Sequence, residues 1–157
     1  MALKMIVDMD SDALKKLEKT LRPGGASASG FYGKNEDILA LARRDDAWVQ
    51  GNKTTHAALA DRLMNFLKSL PASWDAPKGG DCHNQCLGHQ SCPFGCRDYG
   101  SHHYYFTFKG KKYSCGSLLV HLIREHGCYE GEEIPPNDYD KKGGMRVPPE
   151  VCAELPN

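Results

Sequence analysis

Four cysteines fall within fifteen residues, Cys82-His-Asn-Gln-Cys86 and then Cys92-Pro-Phe-Gly-Cys96, and two histidines follow downstream in His121-Leu-Ile-Arg-Glu-His126. Thiolates and imidazoles are the ligands that zinc prefers, and a close Cys pair on a tight turn delivers two of four tetrahedral ligands from one loop. Pro93 and Gly95, inside the second pair, are residues that such a turn uses. Two histidines separated by four residues match the spacing of helix-borne zinc ligands. On an ideal helix those five steps of about 100° leave the rings about 140° apart, so the last turn must loosen near His126, where Gly127 follows.

Cys92, Cys96, His121 and His126 are therefore the first-choice ligand set, with zinc as the cofactor. A compact site from Cys82, Cys86, Cys92 and Cys96 is the second choice, and two sites that add His89, Cys115 or Cys128 the third. The four clustered cysteines would also accept an iron–sulfur centre. Cys152 stands alone near the end of the chain. Gly88, Pro93 and Gly95 argue against a helix through residues 82–96, which read as a loop of metal-binding knuckles.

All seven cysteines of this 157-residue chain lie after residue 81, and an odd number leaves one thiol outside any intramolecular disulfide scheme. The opening MALKMIVDMDSDALKK turns acidic without an apolar core segment, so no export signal is expected and the reading is cytoplasmic, where thiols stay reduced. No run approaches the roughly 18 apolar residues of a membrane span, and no membrane partner is expected.

From Cys92 onward the chain resembles a Cys2His2 zinc finger, on Cys92, Cys96, Tyr113, Leu118, His121 and His126. The resemblance implies a β-hairpin carrying the cysteines, a helix carrying the histidines and one structural zinc between them. It covers residues 92–126, and the 24 residues between Cys96 and His121 exceed the spacing of about 12 in that family. His102-His-Tyr-Tyr-Phe-Thr-Phe108 supplies the length for a longer hairpin. A histidine leading into a hairpin, followed by a helix with metal-binding histidines, also resembles the ββα-metal nucleases. That resemblance implies a hydrolase in which His102 or His103 is the general base. No Asn stands between residues 85 and 136, where that family would place one.

The net charge is zero, but unevenly spread: residues 1–80 carry 12 basic and 10 acidic side chains, 81–128 carry 5 and 3, and 129–157 carry 3 and 7. This excludes an extended polyanion-binding surface and leaves a small basic patch. The candidate partner-binding residues are His102, Tyr104, Phe106, Lys109, Lys111 and Lys112, where aromatics and lysines could meet a protein partner or stack bases and neutralise phosphates. The bland alternative is a half-buried hairpin with a solvated basic turn.

The elements that must position these residues follow from periodicity. A short strand is expected at Met5–Val7, then a helix from Asp12 with Leu14, Leu17 and Leu21 on one face, stopped by Pro23. Asn35 is the expected cap of a helix through about Val49, and Thr54 or Thr55 that of a helix bearing Leu59, Leu63, Phe66, Leu67 and Leu70. Ser117 is expected to cap the histidine-bearing helix. Met145–Val147 reads as a short edge strand and Glu150–Leu155 as one or two helical turns. The whole is an α+β fold: a helical region over 1–70, a linker over 71–81, a zinc-stabilised hairpin-plus-helix module over 82–128, and an acidic, Pro-rich tail over 129–157.

Overall fold

The computed structural model describes residues 5–21, 31–33, 35–78, 80–97, 99–131 and 146–156, without the side chains of 86–90 and 99. Its α+β architecture combines five helices and one three-stranded antiparallel sheet among these residues: α1 (Ser11–Leu21), α2 (Ile38–Gly51), α3 (His56–Lys68), β1 (Cys82–Ser91), β2 (Tyr99–Phe108), β3 (Lys111–Gly116), α4 (Leu118–His126) and α5 (Pro149–Glu154). None of the helices is long and apolar enough to cross a membrane.

The helix starts follow capping chemistry. Asp10 Oδ1 accepts from the Ala13 N–H at 2.7 Å and opens α1, so the acidic turn does cap a helix. The segment before it is a 3-10 turn at Ile6–Asp8, not the expected strand. Its backbone is satisfied locally, Asp8 N–H to Met5 O and Met9 N–H to Ile6 O, while Ile6 is buried. Asp37, not Asn35, caps α2 by accepting from the Ala40 N–H at 3.0 Å. Thr55 caps α3 by accepting from the Ala58 N–H.

The sheet has the order β1-β2-β3. The expected hairpin forms between β2 and β3, with Phe106 opposite Tyr113 and Tyr104 opposite Cys115. The Lys109-Gly110 turn has both residues at positive φ, the geometry of tight hairpin turns. The stretch read as a loop of knuckles is a strand as far as Ser91. Its backbone pairs with β2 from Cys82↔Tyr105 to Gln85↔His102, slips, and pairs again at Gln90↔Gly100 and Ser91↔Tyr99. The register irregularity absorbs Gly88, which breaks helices but is tolerated where a strand bulges.

Two apolar clusters flank α4. The first joins Val49, Leu59, Leu63 and Leu67 to Phe106 and Tyr113 of the sheet, to Leu119 and Ile123 of α4, and to Val147, Cys152 and Leu155 near the chain end. The second joins Ile6, Leu21, Phe31, Tyr32, Ile38 and Ala42 to Cys92, Leu118, Leu122 and Cys128. Helix α4 buries six of its nine residues because it is packed on both sides. Of the expected Met145–Val147 edge strand, Met145 lies outside the described residues, and Arg146 and Val147 join no strand. Arg146 is instead drawn inward by Asp45, with Nη1 to Oδ2 at 3.0 Å and Nη2 to Oδ1 at 2.5 Å, and Nη1 also donates to the Glu130 carbonyl. The expected terminal helix forms as α5, one residue earlier than its periodicity indicates.

Candidate metal centre

The second cysteine pair sits on the turn that leaves β1. Gly95 N–H closes on Cys92 O at 3.2 Å, and Gly95 takes φ +87°, a left-handed conformation that only glycine adopts cheaply. This bend aims Cys92 and Cys96 at the same point. Burial of the Cys92 thiol opposes its ionisation, yet hydrogen bonds from His126 and from the backbone N–H groups of Phe94 and Cys96 outweigh it, and the thiol titrates below its ordinary value. Amide donors directed at a sulfur are what a metal-bound thiolate uses to spread its charge.

Helix α4 supplies the other half. Ser117 is not its side-chain cap: the residue is itself helical, its N–H donates to His102 O, and its Oγ accepts from the His102 N–H. These bonds tie the start of the helix to β2. At the other end Gly127 takes φ +61°, its N–H reaches both Ile123 O and Leu122 O, and the Cys128 N–H reaches Leu122 O. The two bonds to Leu122 O span one and two residues more than an α-helical bond, so the last turn is widened where the histidine spacing requires it. The rings of His121 and His126 stand edge to face with centroids 5.3 Å apart.

The result is a cluster in which one ligand atom each from Cys92, Cys96, His121 and His126 lies within 4.8 Å of every other. His126 Nε2 is 3.5 Å from Cys92 Sγ and 3.4 Å from Cys96 Sγ. With Zn–S of about 2.3 Å and Zn–N of about 2.0–2.1 Å, a tetrahedral ion separates S and N ligands by about 3.6 Å. The two sulfur–nitrogen distances are thus close to the edges of a zinc tetrahedron. Two thiolates and two neutral imidazoles also cancel the charge of a divalent ion, which suits a site where Cys92 is 6% and His126 1% exposed. Phe94 stacks on the His126 ring at 4.1 Å and covers it from the cysteine turn. Phe94 carries no ligand atom, and its place between the two cysteines was the one available hint of this role.

The other candidate residues are placed elsewhere. Cys82 is on β1, outside the cluster, and the side chains of Cys86 and His89 lie outside the described residues. Cys115 and Cys152 are buried in the first apolar cluster, where burial pushes their thiols up. Cys128 is buried against Tyr32, its Sγ 3.3 Å from the hydroxyl. Of the partner-facing set, Phe106 is turned inward, packed edge-on against Phe66 and stacked on Tyr113. Tyr104 is half-buried against the same cluster. Lys111 and Lys112 are exposed, whereas Lys109 reaches Glu154 of α5 at 2.5 Å.

Residue spacing gave no sign of a polar chain behind the cluster. His56 Nδ1 is 2.8 Å from Tyr129 Oη and its Nε2 is 2.9 Å from Asp46 Oδ1. Asp46 and His56 lie on successive helices but Tyr129 is 73 residues beyond His56, and no local signal unites the three.

No protein-family model, curated protein or solved structure matches the chain.

Proposed function

We propose that this chain is a zinc-stabilised protein-recognition module in which Cys92, Cys96, His121 and His126 hold one structural zinc. The observation that carries the reading is the convergence of four ligand atoms within 4.8 Å, a span suited to a single ion. Two sulfurs and two nitrogens favour zinc over a centre that needs four cysteines. Four side-chain ligands complete a tetrahedron, whereas a hydrolase working at this metal would need an open position.

For the recognition role, the support comes from the surface. Trp74 is 79% exposed, on a 3-10 turn at Ser73–Asp75, and exposed tryptophans are favoured anchors of protein interfaces. The inward turn of Phe106 and the tie between Lys109 and Glu154 interrupt the aromatic and basic strip that a nucleic acid would need.

Elemental analysis tests the metal: about one zinc per chain is expected for the parent and a large loss for His121→Ala, with mixed sulfur and nitrogen ligands by X-ray absorption. Protein purified with zinc available that holds none would overturn the reading. A photo-crosslinking residue at position 74 is expected to capture protein, and capture of nucleic acid instead would reverse the choice of partner.

A further inference from the structure

We infer that His83 and His102 form a second metal-binding site, an imidazole pair on the sheet that takes a late first-row divalent ion and leaves its remaining coordination positions to water. This site shares no residue with the Cys2His2 cluster and does not depend on the zinc reading. In the pairing of β1 with β2, His83 faces Tyr104 and Gln85 faces His102, which makes the two histidines diagonal neighbours on one face. Their ring centroids are 5.7 Å apart at an interplanar angle of 57°. The His121–His126 pair, whose nitrogens converge on the first centre, has its centroids at 5.3 Å. The ring spacing of the sheet pair is therefore close to that of a pair that already converges.

Three further observations point the same way. Both residues are partly exposed, so an ion can reach them and keep water ligands. Neither imidazole makes a hydrogen bond or an ion pair among the described residues; the rings packed beside them are each other's and that of Tyr104. Tyr104 stands beside both, with centroids at 6.0 Å from His83 and 6.4 Å from His102. An imidazole with no hydrogen-bond partner gives up none when it takes an ion. Imidazole suits nickel, copper and zinc.

Nickel is the suitable probe, since the nearby Cys82 thiol would reduce cupric ion. The full chain, zinc-loaded and kept reduced, is titrated with Ni2+ by calorimetry at pH 7.5. One further equivalent is expected to bind. His83→Gln and His102→Gln should each weaken its binding at least tenfold. The double variant should lose the equivalent while retaining the parent's zinc content and circular dichroism. A double variant that binds Ni2+ like the parent would overturn the site, and so would a parent that takes up no nickel. If the chain holds no zinc but still binds nickel through these two histidines, the structural-zinc reading fails and this inference stands.

Discussion

Removing the metal should release α1 before it touches α3. Helix α1 has 11 residues, below the length of about 12–15 at which an isolated helix becomes even marginal in water, so docking holds it. Leu21 is its one fully buried residue, and Leu14 and Leu17 pack half-buried against the cluster that contains Cys92, Phe94 and Cys96. Thr20 Oγ1 also donates to the Pro93 carbonyl on the cysteine turn at 3.3 Å. Full burial of a leucine stabilises by about 1.5–3 kcal/mol, and the two half-buried ones together add roughly as much again, so docking amounts to about 3–6 kcal/mol. At about 1.4 kcal/mol per tenfold, this is a protection of about 10²–10⁴-fold against amide exchange. The cluster around α3 contains no metal ligand. Hydrogen exchange read by mass spectrometry, with and without a zinc chelator and repeated on Cys92→Ser, is the assay. The amides of α1 should lose most of that protection, and those of α3 should change less than tenfold. Unchanged exchange in α1 would refute the coupling. Loss of α3 in the same step would show that the two clusters are one cooperative unit.

Three further outcomes are expected. Arg146→Met leaves the Asp45 carboxylate buried and unpaired, both side chains being nearly inaccessible, and should cost about 3–5 kcal/mol in urea unfolding; adding Asp45→Leu should recover most of it. Burial pushes Glu130 up from 4.5 to about 8, against the lowering pull of Arg146. Between those values the folded chain keeps a proton that the unfolded chain has released, so stability should fall as pH rises from about 4.5 to about 8 and level off above; Glu130→Gln should flatten that fall relative to the parent. Gly127→Ala forces a left-handed φ on an L side chain and brings its Cβ within 2.7 Å of Met5 Cε and 3.2 Å of His56 Nε2. It should cost about 1–3 kcal/mol and weaken zinc binding through His126, as measured by competition with a chelating dye.

What could be read from the sequence is what depends on neighbours along the chain. The α3 helix, its Thr55 cap, the β2–β3 hairpin and the Gly127 stop each rest on a few adjacent residues, and each formed as expected. The place of Cys92 and Cys96 beside the histidines follows from the same local logic, since Pro93 and Gly95 build the turn. Pairing at a distance escaped. Strand β1 lacks the alternation of a half-buried strand, and its pairing with β2 carries it across Gly88. The Met5–Val7 segment has strand-like residues but bonds to itself and buries Ile6 beside α1.

The same contrast bears on what a metal held by this cluster would do. A zinc finger read from local spacing is a self-contained hairpin and helix, closed around its ion. Here Cys92 is packed among Ile6, Leu21, Phe31 and Ile38, and α4 is buried from both sides. The surroundings of the cluster come from residues up to about ninety positions away, which no spacing rule addresses. The apolar layer that excludes water from the ligands is thus supplied by the N-terminal helices, and those helices in turn find their docking surface on the cysteine turn. Each stabilises the other. Such a site couples metal binding to the folding of a layer much larger than the finger-like segment itself.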